Sequence, residues 1–174
     1  MQISDLFDAD PYLIAEGGND VYESGTSIGT FDALLALAQQ EDGWMRSLTT
    51  SGERILVKSS VVGGIVLTPS FIPNNDICAF GGESNLYGFY YETGTAYCWV
   101  GFNNGTTTEE IDGQPVTIVD DQTTLGEGKA SAVGIHIGTA GVRSFVQQST
   151  GTVLIEGVTP ALKVKSGFKS WQER

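Results

Sequence analysis

The chain is poor in the residue types on which most enzymatic and nucleic-acid-binding sites depend. Its 174 residues include one histidine, two cysteines and nine lysine or arginine residues against 21 acids. A formal net charge of -12 repels phosphate backbones and anionic bilayers, so nucleic acid is excluded as an expected partner. The acids are typical of a solvated surface, with calcium or a basic partner as the alternative, whereas most lysines follow residue 128.

Long apolar runs are also missing. No stretch approaches the roughly 20 apolar residues of a membrane-spanning helix. Residues 1–10 lack the basic start and apolar centre of a secretory signal peptide. We therefore expect no membrane span and, if the protein works outside the cell, a chain from which the signal has been removed.

Catalytic motifs are absent as well. The single histidine, His136, lies in the predicted strand 132–137 without a Gly-x-Ser-x-Gly elbow, which favours an ordinary strand histidine over a general base. The pairs Gly63-Gly64 and Gly81-Gly82 precede a strand or loop, whereas a phosphate-binding loop leads into a helix. We expect a protein that is not an enzyme, with no catalytic or cofactor-binding residue.

Glycine and alternating apolar residues are abundant and predict a mainly β fold. The chain holds 23 glycines, and one segment has helical spacing, residues 31–40 after a Thr30 cap. Strands are predicted by alternation bounded by turn residues. They are 12–15, 44–48, 54–59, 64–71, 85–91, 95–101, 115–119, 132–137, 142–148, 152–156 and 161–164.

The two cysteines lie twenty positions apart and predict a structural disulfide. Cys78 falls in a polar loop and Cys98 near the end of a predicted strand. Closing a loop of about twenty residues stabilises a fold by roughly 3 kcal/mol and requires an oxidising compartment. Two free thiols are the alternative, and a metal site is weaker still because no C-x-x-C pair or nearby histidine supplies further ligands.

An internal repeat of 57 residues is suggested by two similar strings. YGFYYETGTAYCW at 87–99 aligns with SFVQQSTGTVLIE at 144–156, and both place a Thr-Gly-Thr turn between alternating segments. Each copy predicts a β-hairpin whose glycine adopts positive φ. Chance similarity is the alternative, since the shared string is short. A real repeat favours two to three blades of a β-propeller, completed by another chain or a missing segment.

Aromatic residues concentrate in the first copy of the repeat. Alternation places Tyr87, Phe89 and Tyr91 on one face of the predicted strand and Tyr90 on the other. Core packing is favoured over a shelf for glycans or peptides, with Tyr90 and Tyr97 as the candidates for surface contact.

An ordered set of short motifs resembles the carboxy-terminal β-propeller region of PilC/PilY-type proteins of type IV pili. The resemblance covers roughly residues 42–174, and the first forty residues fit loosely. It is carried by GW at 43–44, SGER at 51–54, GG at 63–64, PNNDIC at 73–78, GG at 81–82, LY at 86–87, TG at 93–94, VQQSTGT at 146–152 and SWQER at 170–174.

The resemblance implies a secreted or surface-exposed protein at the pilus tip. Members associate with minor pilins, support pilus assembly and retraction, and in several cases mediate adhesion to a surface or host receptor. By this likeness, residues 1–42 are the end of a preceding blade and residues 43–174 the carboxy-terminal blades. Members are longer, so the chain is expected to be a fragment or a split form that works with a companion chain bearing the other blades.

Two further functions remain as alternatives. One is a stand-alone glycan-binding lectin. The other is a fragment of a quinoprotein dehydrogenase, whose repeat resembles LYGFYYETGTAYCW, although this chain lacks the adjacent cysteines typical of those enzymes.

The resemblance also raises the question of calcium, since some members carry it in aspartate-rich loops. Asp5, Asp8 and Asp10 lack the spacing of a hand-type loop. Asp112, Asp120 and Asp121 are better explained as solvated turn residues than as a loop site. We therefore expect no metal site.

Overall fold

The computed structural model describes residues 3–48, 50–74, 81–99 and 105–165. They form a mainly β fold with one α-helix, α1 (Phe31–Ala38), and a 3-10 turn at Ile3–Asp5. The strands are β1 (Phe7–Asp8), β2 (Tyr12–Ile14), β3 (Val21–Glu23), β4 (Thr26–Gly29), β5 (Trp44–Met45), β6 (Ser60–Val62), β7 (Ile65–Pro69), β8 (Ile72–Pro73), β9 (Gly82–Tyr90), β10 (Thr106–Ile111), β11 (Gln114–Val119), β12 (Gln122–Glu127), β13 (Gly134–Gly138), β14 (Gly141–Gln147) and β15 (Val153–Val158).

A five-stranded antiparallel sheet forms the centre of the molecule. Its strand order is β12-β9-β7-β6, and β8 also pairs with β9. The Gly63-Gly64 pair closes the β6–β7 hairpin with φ of 54° and 83°, because both central residues of such a two-residue turn need positive φ. Strand β9 is buried over its last seven residues, so it is covered on both faces.

A second sheet covers one face of this central sheet. Strands β13, β14 and β15 form an antiparallel meander in that order. The alternate residues Val142 and Val146 of β14 are buried and pack towards β7 and β9, as expected for a sheet with one face in a core. The shared apolar cluster consists of Val62, Ile65, Leu67, Leu86, Leu125, Ala130, Val133, Val142, Val146 and Val158.

A third sheet, β2-β3-β4, and helix α1 pack at the end of β9. The helix confirms the predicted segment, although it ends at Ala38, two residues early. Thr30 caps it as predicted, since its Oγ1 accepts from the Ala33 N–H at 3.4 Å. Phe31, Leu34 and Ala38 face the cluster that includes Tyr90 of β9.

The other face of β9 is covered by segment 44–59, most of which is irregular. The prediction of a strand at 54–59 is wrong, because only Arg54 forms a bridge, to Phe71. The Trp44 ring packs on Phe89 with centroids 5.8 Å apart, and its Nε1–H donates to the Tyr91 carbonyl at 2.8 Å. This segment is held to the sheet by side chains rather than by a ladder.

The two Thr-Gly-Thr segments fold differently. The second is the predicted hairpin, joining β14 to β15 with Gly151 at φ 93°. In the first, Gly94 has positive φ as predicted, but the strand at 95–101 is wrong over its described residues. Thr93 and Thr95 are buried with their hydroxyls 2.8 Å apart, so the chain turns inward after Gly94 and leaves the sheet.

The first repeat copy also corrects the predicted surface aromatics. Tyr90 is buried, edge-on to Phe31 and stacked on Tyr97, which is itself half-buried. Tyr91 and Trp99 are instead the exposed aromatics of this segment. The reason is that α1 covers the face of β9 that carries Tyr90, a contact that alternation within the strand does not reveal.

The paired glycines give a matched test of this packing. A Cβ at Gly94 would overlap the Trp44 ring, whereas a Cβ at Gly151 would meet nothing. We expect Gly94→Ala to lower the free energy of unfolding by about 3 kcal/mol, from backbone strain plus overpacking. Gly151→Ala should cost about 1 kcal/mol, from backbone strain alone. Urea unfolding of both variants measures the difference, and equal losses would contradict the Trp44 contact.

Candidate functional site

The outer face of the β13–β15 sheet is an exposed surface of the fold. Burial alternates along β15, so that Leu154 and Glu156 are half-buried while Val153 and Ile155 are 54% and 51% exposed. Phe145 of β14 pairs with Ile155 and shares its face. The sheet thus carries a row of apolar side chains on the side away from the molecular core, where an isolated sheet usually carries polar ones.

The outer edge of β15 is free as well. The Gln148 N–H donates to the Thr152 carbonyl at 2.8 Å, so these two residues form a hydrogen-bonded pair. Hydrogen-bonded and non-hydrogen-bonded pairs alternate along an antiparallel hairpin. Leu154 and Glu156 therefore direct their main-chain groups to β14. No strand in the described ranges pairs with the opposite edge, to which the main-chain groups of alternate residues point: Val153, Ile155 and Gly157.

A groove of about 370 Å³ adjoins this edge at the β13–β14 turn. Gly141, Gly157 and Thr159 line it, and Arg143 is its only charged residue. The Arg143 side chain is exposed and has no hydrogen bond or ion pair with the described residues. A Cβ placed on Gly157 would contact nothing within 4 Å, so the space in front of Arg143 is open.

The part of the chain that contains this sheet is basic, although the chain as a whole is acidic. Residues 1–127 hold nineteen acids and three bases, whereas residues 128–165 hold one acid, Glu156, against Lys129, Arg143, Lys163 and Lys165. Glu156 lies on the inner face, where burial raises the pKa of its carboxyl. The outer face of the sheet therefore carries positive charge beside apolar side chains.

A different polar cluster anchors segment 44–59 to β9. Glu53 Oε1 accepts hydrogen bonds from the hydroxyl of Ser70, from Asn85 Nδ2 at 3.1 Å and from Tyr87 Oη at 2.9 Å. Burial raises the pKa of the Glu53 carboxyl, but the three side-chain hydrogen bonds outweigh it and hold the pKa below its ordinary value of 4.5. Glu53 therefore has a structural role as an ionised acceptor.

An ion pair lies next to this cluster. Arg46 pairs with Asp121, both side chains being about four-fifths buried, and Arg46 Nη1 donates to the Ala9 carbonyl at 2.6 Å. Burial raises the pKa of the Asp121 carboxyl, and the Arg46 charge opposes that rise. The pair joins the amino-terminal segment to the start of β12 and compensates the two charges inside the fold.

The three aspartates considered for a loop site have different environments. Asp112 is exposed in the β10–β11 turn, which agrees with a solvated turn residue, and Asp120 accepts from Thr107 Oγ1 at 2.8 Å. The prediction that Asp121 is a solvated turn residue is wrong, because its largely buried carboxylate pairs with Arg46. Within the described ranges, no group of three or more His, Cys, Asp or Glu residues is placed to hold a metal ion.

The predicted disulfide stays a prediction, because Cys78 lies outside the described residues. Cys98 is buried, and its Sγ lies against Gly18, whose backbone leaves no room for a side chain. The Cys98 carbonyl accepts from the Gly17 N–H at 2.9 Å. Cys98 is therefore fixed in position by the amino-terminal segment. His136 is exposed in β13 and lies opposite Arg143 of β14.

Comparison with protein-family models, with curated proteins and with solved structures finds no match to this chain. The short motifs therefore stand as the basis of the family resemblance. The described part of the chain contains no helix with the length and apolarity that a membrane crossing requires. Sequence reasoning did not single out Arg143 or the β15 edge, although the change to basic composition after residue 128 was a signal for them.

The lowered pKa of Glu53 predicts an acid-sensitive anchor. A carboxyl whose folded pKa is depressed stabilises the fold above its unfolded pKa and loses that contribution as pH falls through the folded value. We expect the free energy of unfolding to fall below about pH 4.5, and Glu53→Gln to reduce this pH dependence. Glu110→Gln, at an exposed carboxylate of β10, is the matched control. Identical pH profiles for Glu53→Gln and the parent chain would contradict the anchor.

The cysteine pairing can be tested by thiol counting and unfolding. If Cys78 and Cys98 are bonded, the denatured, unreduced chain has no titratable thiol. Cys78→Ser should then lower the free energy of unfolding by about 3 kcal/mol, because the unfolded chain loses its cross-link. A reductant should lower the free energy of unfolding of the parent chain by a similar amount. It should leave the free energy of unfolding of Cys78→Ser unchanged. Two thiols in the unreduced chain would disprove the disulfide.

Proposed function

We propose that this chain is a non-enzymatic, extracellular association module of the type IV pilus tip that works with a companion chain. The pilus context comes from the PilC/PilY resemblance, which implies contact with minor pilins and a role in pilus assembly and retraction, with adhesion as a further role. The association itself is supported by the outer face and free edge of β13–β15. That exposed surface is the observation that carries the proposal.

The positions of the resembling motifs support a scaffold role. Gly63-Gly64 forms a hairpin turn, Glu53 of the SGER string anchors a segment to β9, and Gly94 packs on Trp44. Each of these residues has a packing or turn-forming role. Motifs with such roles mark an architecture and carry no reaction.

The sheet arrangement supports a propeller origin for this scaffold. Strands β6, β7, β9 and β12 neighbour one another in chain order, which matches the four-stranded antiparallel blade of a propeller. The sheets β2-β3-β4 and β13-β14-β15 follow chain order in the same way with three strands each. Three such units are fewer than the four to eight blades that close a propeller ring, so the proposal requires a companion.

The outer face of β13–β15 supplies a place for that companion. Exposed apolar residues on a sheet whose edge is also free favour association, because both features otherwise promote non-specific pairing. The apolar row of Phe145, Val153 and Ile155 extends over two adjacent strands. In a propeller, this face would pack against the next blade.

Recovery of the chain from piliated cells of its source tests the proposal. The tagged parent chain should bring down a minor pilin or a β-rich companion, and Val153→Lys/Ile155→Lys should not, since two charges then occupy the apolar row. Thr106→Lys/Thr108→Lys in β10 places the same charges on another exposed strand and should retain the companion. Circular dichroism and thermal unfolding check that both variants fold.

Two results would overturn the proposal. One is recovery of the parent chain without any pilin or companion. The other is equal recovery of the companion with both double variants. Binding to a glycan array by the isolated chain, without a companion in cells, would favour the lectin alternative.

A further inference from the structure

We propose that β15 accepts an extended strand from a partner polypeptide, and that this strand carries an acidic side chain which binds Arg143 over Gly157. The inference deepens the proposed association by specifying the chemistry of the partner, and it depends on that proposal only in taking the partner to be a polypeptide. Three features of the β13–β15 sheet carry it: the free main-chain edge, the pattern of outward side chains and the isolated positive charge.

The free edge provides the main-chain contacts. Val153, Ile155 and Gly157 direct their N–H and C=O groups away from β14, and no described strand pairs with them. An added strand would satisfy these groups with the same ladder that joins β14 and β15. Strand addition of this kind obtains affinity from the main chain and selectivity from alternate side chains.

The outward side chains specify the order of residues in the added strand. Val153 and Ile155 are both more than half exposed, so apolar side chains opposite them would bury area on both strands. Gly157 follows on the same face and pairs with Arg143 of β14. Because Gly157 has no side chain and the space above it is open, a residue opposite it can reach across to Arg143.

The charge pattern selects an acid at that position. Arg143 is the only charged residue lining the groove of about 370 Å³, and it has no ion pair within the described residues. His136 and Gly157 are its cross-strand neighbours, so no carboxylate shares its row. A guanidinium binds a carboxylate with two parallel hydrogen bonds, which a basic or neutral partner residue cannot reproduce.

The direct test uses synthetic peptides in which threonine alternates with valine, valine and aspartate, so that these three side chains lie on the outer face of the added strand. Each peptide is prepared with the sequence in both orders, because the added strand can run parallel or antiparallel to β15. A second pair replaces the aspartate by lysine. Fluorescence anisotropy with the full chain should show that one aspartate peptide binds about tenfold or more tightly than its lysine counterpart. Arg143→Glu should reverse this preference. A reversal identifies charge recognition, which a merely structural role of Arg143 would not produce.

Two further variants separate recognition from folding. Gly157→Leu fits the free protein, since nothing lies near its Cβ, and should weaken binding of both peptides by filling the space before Arg143. Lys129 lies beside Ser149, at the end of the β14–β15 hairpin opposite to Arg143. Lys129→Glu makes the same charge change as Arg143→Glu and should leave the preference for the aspartate peptide intact. Thermal unfolding confirms that each variant is folded.

The outcomes distinguish this inference from the proposed function. Absence of peptide binding, equal binding of aspartate and lysine peptides, or an unchanged preference in Arg143→Glu would overturn the inference. A companion recovered from cells equally well with Arg143→Glu would also overturn it while the pilus proposal stands. Selective peptide binding without any pilin in the recovery experiment would support the inference and remove the pilus assignment.

Discussion

The rest of the structure depends on the burial of strand β9 on both faces. A strand buried in this way needs a cover on each side, and here the covers come from distant parts of the chain. The β13–β15 sheet and helix α1 cover one face with apolar side chains. Segment 44–59 covers the other, where the Trp44 ring packs on Phe89 and the Glu53 carboxylate accepts from Tyr87. The hydrogen bonds to Glu53 Oε1 replace part of the water lost on burial, whereas Glu53 Oε2 is buried without a hydrogen-bond partner among the described residues.

The β13–β15 sheet covers the central sheet with only one of its two faces. Its inner face belongs to the core, whereas its outer face and the edge of β15 have no cover from the described residues. The same surface carries Arg143 in a region of positive charge, while the remainder of the chain is strongly acidic. Apolar area, free ladder groups and local charge thus coincide at one place. This coincidence supports our proposal that the chain is an association module.

Local signals predicted the elements whose formation is local. The α1 cap at Thr30 and the β14–β15 hairpin each depend on residues a few positions apart. The first Thr-Gly-Thr copy has the same local pattern as the second, yet its chain turns inward, where Thr93 and Thr95 are buried and Gly94 lies against the Trp44 ring. The same Thr-Gly-Thr string therefore adopts two different structures, and only the second copy of the repeat forms a β-hairpin. Arg143 was missed for the same reason, since exposure depends on what the rest of the chain leaves uncovered.

The sequence by itself determined the mainly β class, the single helix, the positive φ of Gly94 and Gly151 and the acidic character of the first 127 residues, because these follow from short-range sterics and composition. Tertiary structure alone decided that Tyr90 is buried and Tyr91 exposed, that Asp121 pairs with Arg46, and that no strand of the described residues pairs with the outer edge of β15. Each of these depends on contacts between segments far apart in the chain. Alternation in the sequence defines the two faces of a strand, but only tertiary packing decides which face meets the core and which is left exposed.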